Sequence, residues 1–244
     1  MGKVLLVGEA HRDPWLSVYA ESLLRAEKPS AITHEHTHIQ HTIYKSLRSK
    51  AEELLRQNDI PDNAIPEFVS KFMRRFRFPD DDGRYAFPVV EVCEDYARSE
   101  KIPLKFVGHP DFKSLDMLLN LYNRPLNRED VLNPPWPPPI EPRTKYDNFR
   151  QRLQTDGYSG VPEEDRCCLR THAQGDLRDV YTAQRIEDLI LKGRELVCHF
   201  CGLCHMLDDD RGETLYSILK QKHEVRRIAI DHHFPDGGKA DHHQ

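Results

Sequence analysis

Lys3-Val4-Leu5-Leu6-Val7-Gly8-Glu9-Ala10-His11 decides how the rest of the chain is read. Lys3 to Val7 is a short apolar run that stops at a glycine, the pattern of a buried β-strand. Pro14 follows, suited to the first turn of a helix, where its missing N–H is one that no helix would use. Trp15, Leu16, Tyr19, Leu23 and Leu24 then recur at helical spacing. The unit is strand, tight loop, helix. Its polar segment Gly8-Glu9-Ala10-His11 falls at the strand's carboxyl end, the edge where open α/β sheets place their ligands.

Working outward, the unit repeats. Ala31-Ile32-Thr33 reads as a second, short strand, followed by His34-Glu35-His36-Thr37-His38 and a helix through about Arg56. A polar helical stretch (roughly 62–78) and a helix from about Pro88 to Glu100 lead to a third strand, Pro103 to Val107, which ends in Gly108-His109-Pro110-Asp111. Later, Asp176 or Asp179 can cap a helix that runs to Lys192, with Val180, Tyr181, Ile186, Leu189 and Ile190 on its apolar side and Gly193 ending it. Leu196 to Cys201 is a strand that ends at Gly202-Leu203-Cys204-His205. A helix around Thr214 to Lys220 and a last strand, Val225 to Ile230, follow. This order predicts an α/β fold, a central mixed or mostly parallel sheet flanked by helices, in a single domain over residues 1–231. An insertion at about 112–175 is helical and Pro-rich. Within it Asn133-Pro134-Pro135-Trp136-Pro137-Pro138-Pro139 cannot form helix or interior strand, and is either an extended linker or a lid over a cleft. Residues 232–244 read as a polar tail.

Composition narrows the function. Hydrophobic residues make up 38% of the 244 and charged residues 31%, enough for a core under a well-solvated surface. No apolar stretch approaches the roughly 20 residues needed to cross a bilayer, so no membrane role is expected. The first apolar run is broken by Glu9, His11, Arg12 and Asp13 before any signal-peptide core could form, which makes the cytoplasm the expected location. A net charge of −5 argues against a general nucleic-acid binder, and Arg74-Arg75-Phe76-Arg77 reads as a solvated helix face. The absence of Gly-x-Ser-x-Gly and of a Gly-rich phosphate loop argues against a nucleophile-elbow hydrolase and a P-loop enzyme.

The first three strands thus end in polar loops that carry His, Glu or Asp, which suggests a common rim. A glycine at a strand end lets the backbone turn sharply and approach a ligand, and a histidine three residues later projects over the sheet edge. Two such elements occur, ending in His11 and His205. Two imidazoles and a carboxylate are the usual protein ligands of a catalytic divalent metal, with water in the open position. His11, His205 and Glu35 form the expected metal set, for manganese, cobalt or zinc. Glu9, beside His11, can accept the proton of the attacking water. The plainer alternatives are loop histidines that cap local turns and a Glu35 that caps a helix. Cys198, Cys201 and Cys204, with Cys167-Cys168, invite an iron–sulfur or zinc reading. Residues three apart in a strand face opposite sides of the sheet, so small buried residues are the better account. Of His34, His36, His38 and His41, His36 is a further candidate ligand and most are expected on the rim or surface. His232-His233 and His242-His243 read as solvated tail.

In this order, Val4-Leu5-Leu6-Val7-Gly8-Glu9-Ala10-His11, a strand ending in Glu35, a late Arg178-Asp179 helix, an apolar strand and Gly202-Leu203-Cys204-His205 resemble the TraB/Tiki group. That group lies within the wider superfamily of erythromycin esterases and haem-binding ChaN proteins. The resemblance covers about residues 3–57, 88–111 and 176–230. It places the first family glycine and histidine on Gly8 and His11, the strand-end glutamate on Glu35, the late helix arginine on Arg178, and the second Gly-x-x-His on Gly202 and His205. The Gly-Glu-x-His form is closer to the esterase and ChaN branch. Where TraB-like chains carry Asp-Arg after the third strand, this chain has Gly108-His109-Pro110-Asp111, so His109 is a candidate catalytic residue whose role stays open. The resemblance implies metal-dependent hydrolysis in the Tiki branch, or metal-independent ester hydrolysis with His11 as general base, or ChaN-like haem or metal binding without turnover. Arg178 would clamp a substrate carboxylate or stabilise an oxyanion, its plainer role being an ion pair with Asp176 or Asp179. The expectation is a metal-dependent hydrolase of a peptide or small-molecule substrate, with Glu9, Arg178 and His109 catalytic.

Overall fold

Val4 to Val7, four apolar residues in succession, are all buried, as a strand covered on both faces requires. They form β1 (Lys3–Glu9). In this computed structural model, residues 2–9, 16–75, 88–109, 123, 125–133, 177–208 and 212–229 are described. After β1 come α1 (Leu16–Glu27), β2 (Ala31–His34), α2 (His38–Gln57), α3 (Ile65–Arg75), α4 (Pro88–Glu100) and β3 (Leu104–Phe106). Then follow α5 (Arg128–Leu132), α6 (Leu177–Leu191), β4 (Leu196–Gly202), a 3-10 turn (Leu203–Met206), α7 (Leu215–Leu219) and β5 (Glu224–Ala229). The five strands form one sheet in the order β3-β2-β4-β1-β5. Every pairing in it is parallel, which resolves the expected mixed or mostly parallel sheet.

The two faces of the sheet are covered by different connections. Leu5, Val7, Ile32, Cys198 and Phe200 pack with residues of α1 and α4. Val4, Leu6, Ala31 and Val197 pack with residues of α6 and α7 on the other side. Right-handed crossovers explain this. The chain moves outward through β1, β2 and β3 over one face and returns through β4 and β5 over the other. The segments after β1 and β2 therefore leave toward the first face, and the segment after β4 toward the second. The crossovers thus change face at the carboxyl end of β4, the kind of switch point at which open α/β sheets bind their ligands.

A third core joins α2, α3, Val90 of α4 and Phe106 of β3, and fully buried Val131 of α5 inserts into it. Part of the predicted insertion is thus docked, while Pro134–Pro139, the rest of 112–175 and the tail from 232 lie outside the described residues. Between α2 and α4, fully buried Glu91 accepts hydrogen bonds from the Tyr44 hydroxyl and the Arg48 guanidinium. Lys28, Asp59 and Lys101 adopt left-handed φ values of 49, 58 and 55° just beyond α1, α2 and α4, the conformation that stops a helix. Gly193 (φ 84°) ends α6 as expected. Among the described residues no helix is long and apolar enough to cross a membrane.

The buried face of α6 differs from the apolar side that its sequence suggests. The inward side of α6 is Asp179, Thr182, Ala183, Ile186 and Leu189, whereas Val180 is exposed. Two polar residues turn inward because each has a partner: the Thr182 hydroxyl donates to Val107 O, and Asp179 serves the cluster described below. Cys198 and Cys201 enter the cores on opposite faces of the sheet, as the three-residue spacing requires.

Candidate active site

Glu35 is the first residue past β2. Its backbone N–H donates to Phe200 O (3.0 Å), extending the β2–β4 ladder by one step. Alternation then points its side chain, like those of Ala31 and Thr33, to the α6 face. Gly108 makes the position possible: a Cβ there would stand 1.8 Å from Glu35 O, so only glycine lets the end of β3 pass so close. The Gly108 N–H donates to His36 O at 3.0 Å, fixing that approach.

The Glu35 carboxylate meets β4 and α6. Its Oε2 accepts the Gly202 N–H (2.9 Å), lies 3.6 Å from His205 Nε2 and 3.9 Å from Arg178 Nη2. The other nitrogen of His205, Nδ1, is in ion-pair contact with Asp179 Oδ1 at 2.7 Å. Asp179 Oδ2 accepts the N–H of Leu215, the first residue of α7, at 2.8 Å. Glu35, His205 and Asp179 are buried, while the Arg178 side chain keeps 33% of its surface exposed. Arg178 therefore joins Glu35 to solvent, while Asp176, one of the ion-pair partners expected for it, lies outside the described residues.

Among the described residues this cluster brings together two buried carboxylates and one partly exposed guanidinium. Burial works against a charge on His205, but the fields of Asp179 and Glu35 outweigh it and hold the imidazole's pKa above its ordinary value. Both a proton on His205 and a bound cation would be favoured by these two carboxylates. At metal–ligand bonds of about 2.1 Å, two ligands of a tetrahedral ion lie about 3.4 Å apart. The 3.6 Å between His205 Nε2 and Glu35 Oε2 suits such sharing. A carboxylate behind the far nitrogen, as Asp179 provides, is the usual support of a ligating imidazole. Among the described residues the donors stop at this pair, and no group of three His, Cys, Asp or Glu is set to hold an ion.

The expected third ligand, His11, lies outside the described residues. Glu9 ends β1 in register with Gly202, so its backbone stands at the same rim. Gly8 does not act by turning the chain. It lies within β1, and a Cβ there would meet Met206 Sδ at 2.2 Å and Leu203 Cδ2 at 2.8 Å, so its bareness seats the 3-10 turn that carries His205. His109 sets its ring edge-on to Tyr181 of α6, with centroids 5.3 Å apart. His34 and His36 share the opposite face, with rings 4.2 Å apart and the His36 N–H donating to His34 Nδ1. His41 stacks on Phe106 and pairs with Glu94 at 2.7 Å. The sheet separates this histidine patch from the Glu35 carboxylate.

The chain matches no family model, and no curated protein is similar to it. The case for function therefore stands on the cluster itself.

Two of its features escape a reading by motif. Asp179 is legible only as a polar residue on the inward stripe 179, 182, 183, 186 of a helix. His199, in the middle of apolar β4, is fully buried, and its Nδ1 is 2.8 Å from the Thr33 hydroxyl. Burial pushes its pKa down to about 4, against smaller opposing effects of Glu35 and Asp179. It is a neutral imidazole beneath the site. Its Nε2 has no hydrogen-bond partner among the described residues.

Proposed function

We propose that the protein is a hydrolase that cleaves a peptide or ester bond at the rim beside β4, with a divalent metal ion held by Glu35, His205 and His11. The observation that carries the reading is the Asp179–His205–Glu35 arrangement, in which His205 Nε2 faces a carboxylate oxygen 3.6 Å away and Nδ1 is backed by a second carboxylate. Such an ion, when bound, polarises a carbonyl and lowers the pKa of water. The protein's own groups do the rest. Asp179 fixes the ring of His205, and the Gly202 N–H fixes the carboxylate of Glu35. Arg178, partly exposed at the mouth of the cluster, suits the role of holding a substrate carboxylate or the developing oxyanion. Glu9, at the end of the neighbouring strand, is the candidate to take the proton of the attacking water, and His109 flanks the substrate's approach. The order of motifs that resembles the TraB/Tiki group and its wider superfamily is compatible with hydrolysis at this rim and does not choose between the metal-dependent and metal-independent forms.

A second reading has its own observation. His205 already carries a raised pKa between two carboxylates, which suits a metal-independent esterase in which His205 is an imidazolium and His11 the general base. One experiment separates the two. The purified protein is assayed for metal content and for hydrolysis of a panel of nitrophenyl esters and labelled peptides, before and after chelation, alongside Glu35→Gln and His205→Ala. The metal-dependent reading expects bound metal, activity lost on chelation and a roughly 100-fold or greater loss in both folded variants. Activity indifferent to chelation transfers the assignment to the esterase reading. Full activity in folded His205→Ala, or no hydrolysis across the panel, overturns both.

A further inference from the structure

Three polar side-chain ties cross from β2 to β4. Ser30 Oγ donates to Leu196 O (3.0 Å) and accepts the Leu196 N–H (3.1 Å). Thr33 Oγ1 bonds His199 Nδ1 at 2.8 Å, and Glu35 Oε2 accepts the Gly202 N–H at 2.9 Å. The second and third lie on the same face, two residues apart on β2, roughly 7 Å along the strand. β2 itself supplies only four residues, Ala31 to His34, so its backbone pairing with β4 is short. The last of them is adjacent to the residue that must meet His205. Whatever sets the separation of the two strands at Thr33 sets it one rung later at Glu35.

His199 is an unexpected residue for that place. Its neighbours on the same face, Ala31, Leu6 and Val197, are apolar and fully buried. A leucine would fill the volume without leaving the orphan Nε2. What the imidazole adds is a directional bond of fixed length to Thr33. We propose that His199 is a positioning residue of the active site: through Thr33 it holds β2 and β4 at the spacing where the Glu35 carboxylate reaches both the Gly202 amide and the His205 ring. This rests on the reading of Glu35 and His205 as the reaction centre, yet its signature is structural and needs no turnover.

The amide of Gly202 reports the geometry directly, because it donates to Glu35. In isotope-labelled protein, Thr33→Val and His199→Leu are expected to move the Gly202 amide proton upfield and to speed its hydrogen exchange roughly ten-fold. The amides of Leu47 and Leu55 in α2, which belong to a separate core, should stay unmoved. His199→Asn, which can present a polar atom near the place of Nδ1, should restore both readouts. An unchanged Gly202 amide in the folded variants overturns the proposal. If His199→Leu fails to fold, Thr33→Val, which only exchanges a hydroxyl for a methyl group, decides alone. A responsive amide in a protein that hydrolyses nothing would leave the positioning role standing and remove the hydrolase. Hydrolysis with an unmoved amide would do the reverse.

Discussion

Acidification gives the most quantitative test of the buried layer. His199 is fully buried with its pKa held down to about 4, against 6.5 for an exposed histidine. Between those values the unfolded chain binds a proton that the native state refuses, so stability is complete above pH 6.5 and falls as pH drops toward 4. At about 1.4 kcal/mol per pH unit the interval is worth about 3 kcal/mol, a large part of the 5–15 kcal/mol that holds a typical domain. Nearby charges bear on it too, Glu35 and Asp179 favouring the proton and His205 opposing it. Comparison with His199→Leu isolates the effect, because other groups titrate in both proteins. Urea unfolding at pH 7, 5.5 and 4 should show the wild type losing stability relative to the variant, with the gap widening by about 3 kcal/mol across the range. Parallel loss in the two proteins, or a His199 resonance that titrates near 6.5, would refute the reasoning.

The other predictions concern single contacts. Asp179→Asn should lower the titration of His205 seen by NMR and reduce hydrolysis about 10–100-fold, since the ring loses its carboxylate partner. Gly108→Ala must push a methyl group into the backbone of Glu35, where a Cβ would lie 1.8 Å from its carbonyl oxygen. A cost of about 3 kcal/mol or more, read in urea unfolding, should accompany loss of activity. Glu91→Ala strips the acceptor from the Tyr44 hydroxyl and from Arg48, far from the Glu35 cluster. A loss of about 3 kcal/mol is expected, measured as a Tm lower by roughly 6–12 °C, with the activity of the folded fraction unchanged.

How much of this could be read from residue order differs by kind of signal. Val4 to Val7 and Leu196 to Cys201 are apolar runs buried on both faces, and runs of that kind announce parallel strands. The strand ends were equally legible, because glycine and a change to polar residues mark them. This is why Glu35, His205 and Arg178 could each be named from strand ends and motif order, and His205 and Arg178 stand within 4 Å of one Glu35 oxygen, while His11, named with them, lies outside the described residues. Asp179 was not legible in that way. A carboxylate on a helix ordinarily faces water, and only its partners across the fold, His205 and Leu215 N, turn it inward. The role of Gly8 was hidden for a similar reason: the atoms it makes room for belong to Met206 and Leu203, nearly two hundred positions later. His199 offered no local sign, since its meaning lies in Thr33 on a neighbouring strand. Local patterns carry strands and turns; long-range pairings decide which polar groups the interior tolerates.

The place of β4 between β1 and β2 has a consequence for biosynthesis. Thr33 and His199 are separated by 166 positions, so a ribosome adding 5–20 residues per second needs on the order of ten to thirty seconds to deliver the central strand after its neighbour has emerged. During that interval the nascent chain holds two apolar strand edges apart with nothing to bridge them, a species that invites chaperones or self-association. No partial product can assemble the Glu35 cluster, because Asp179 arrives late in the wait and Gly202 and His205 only after it.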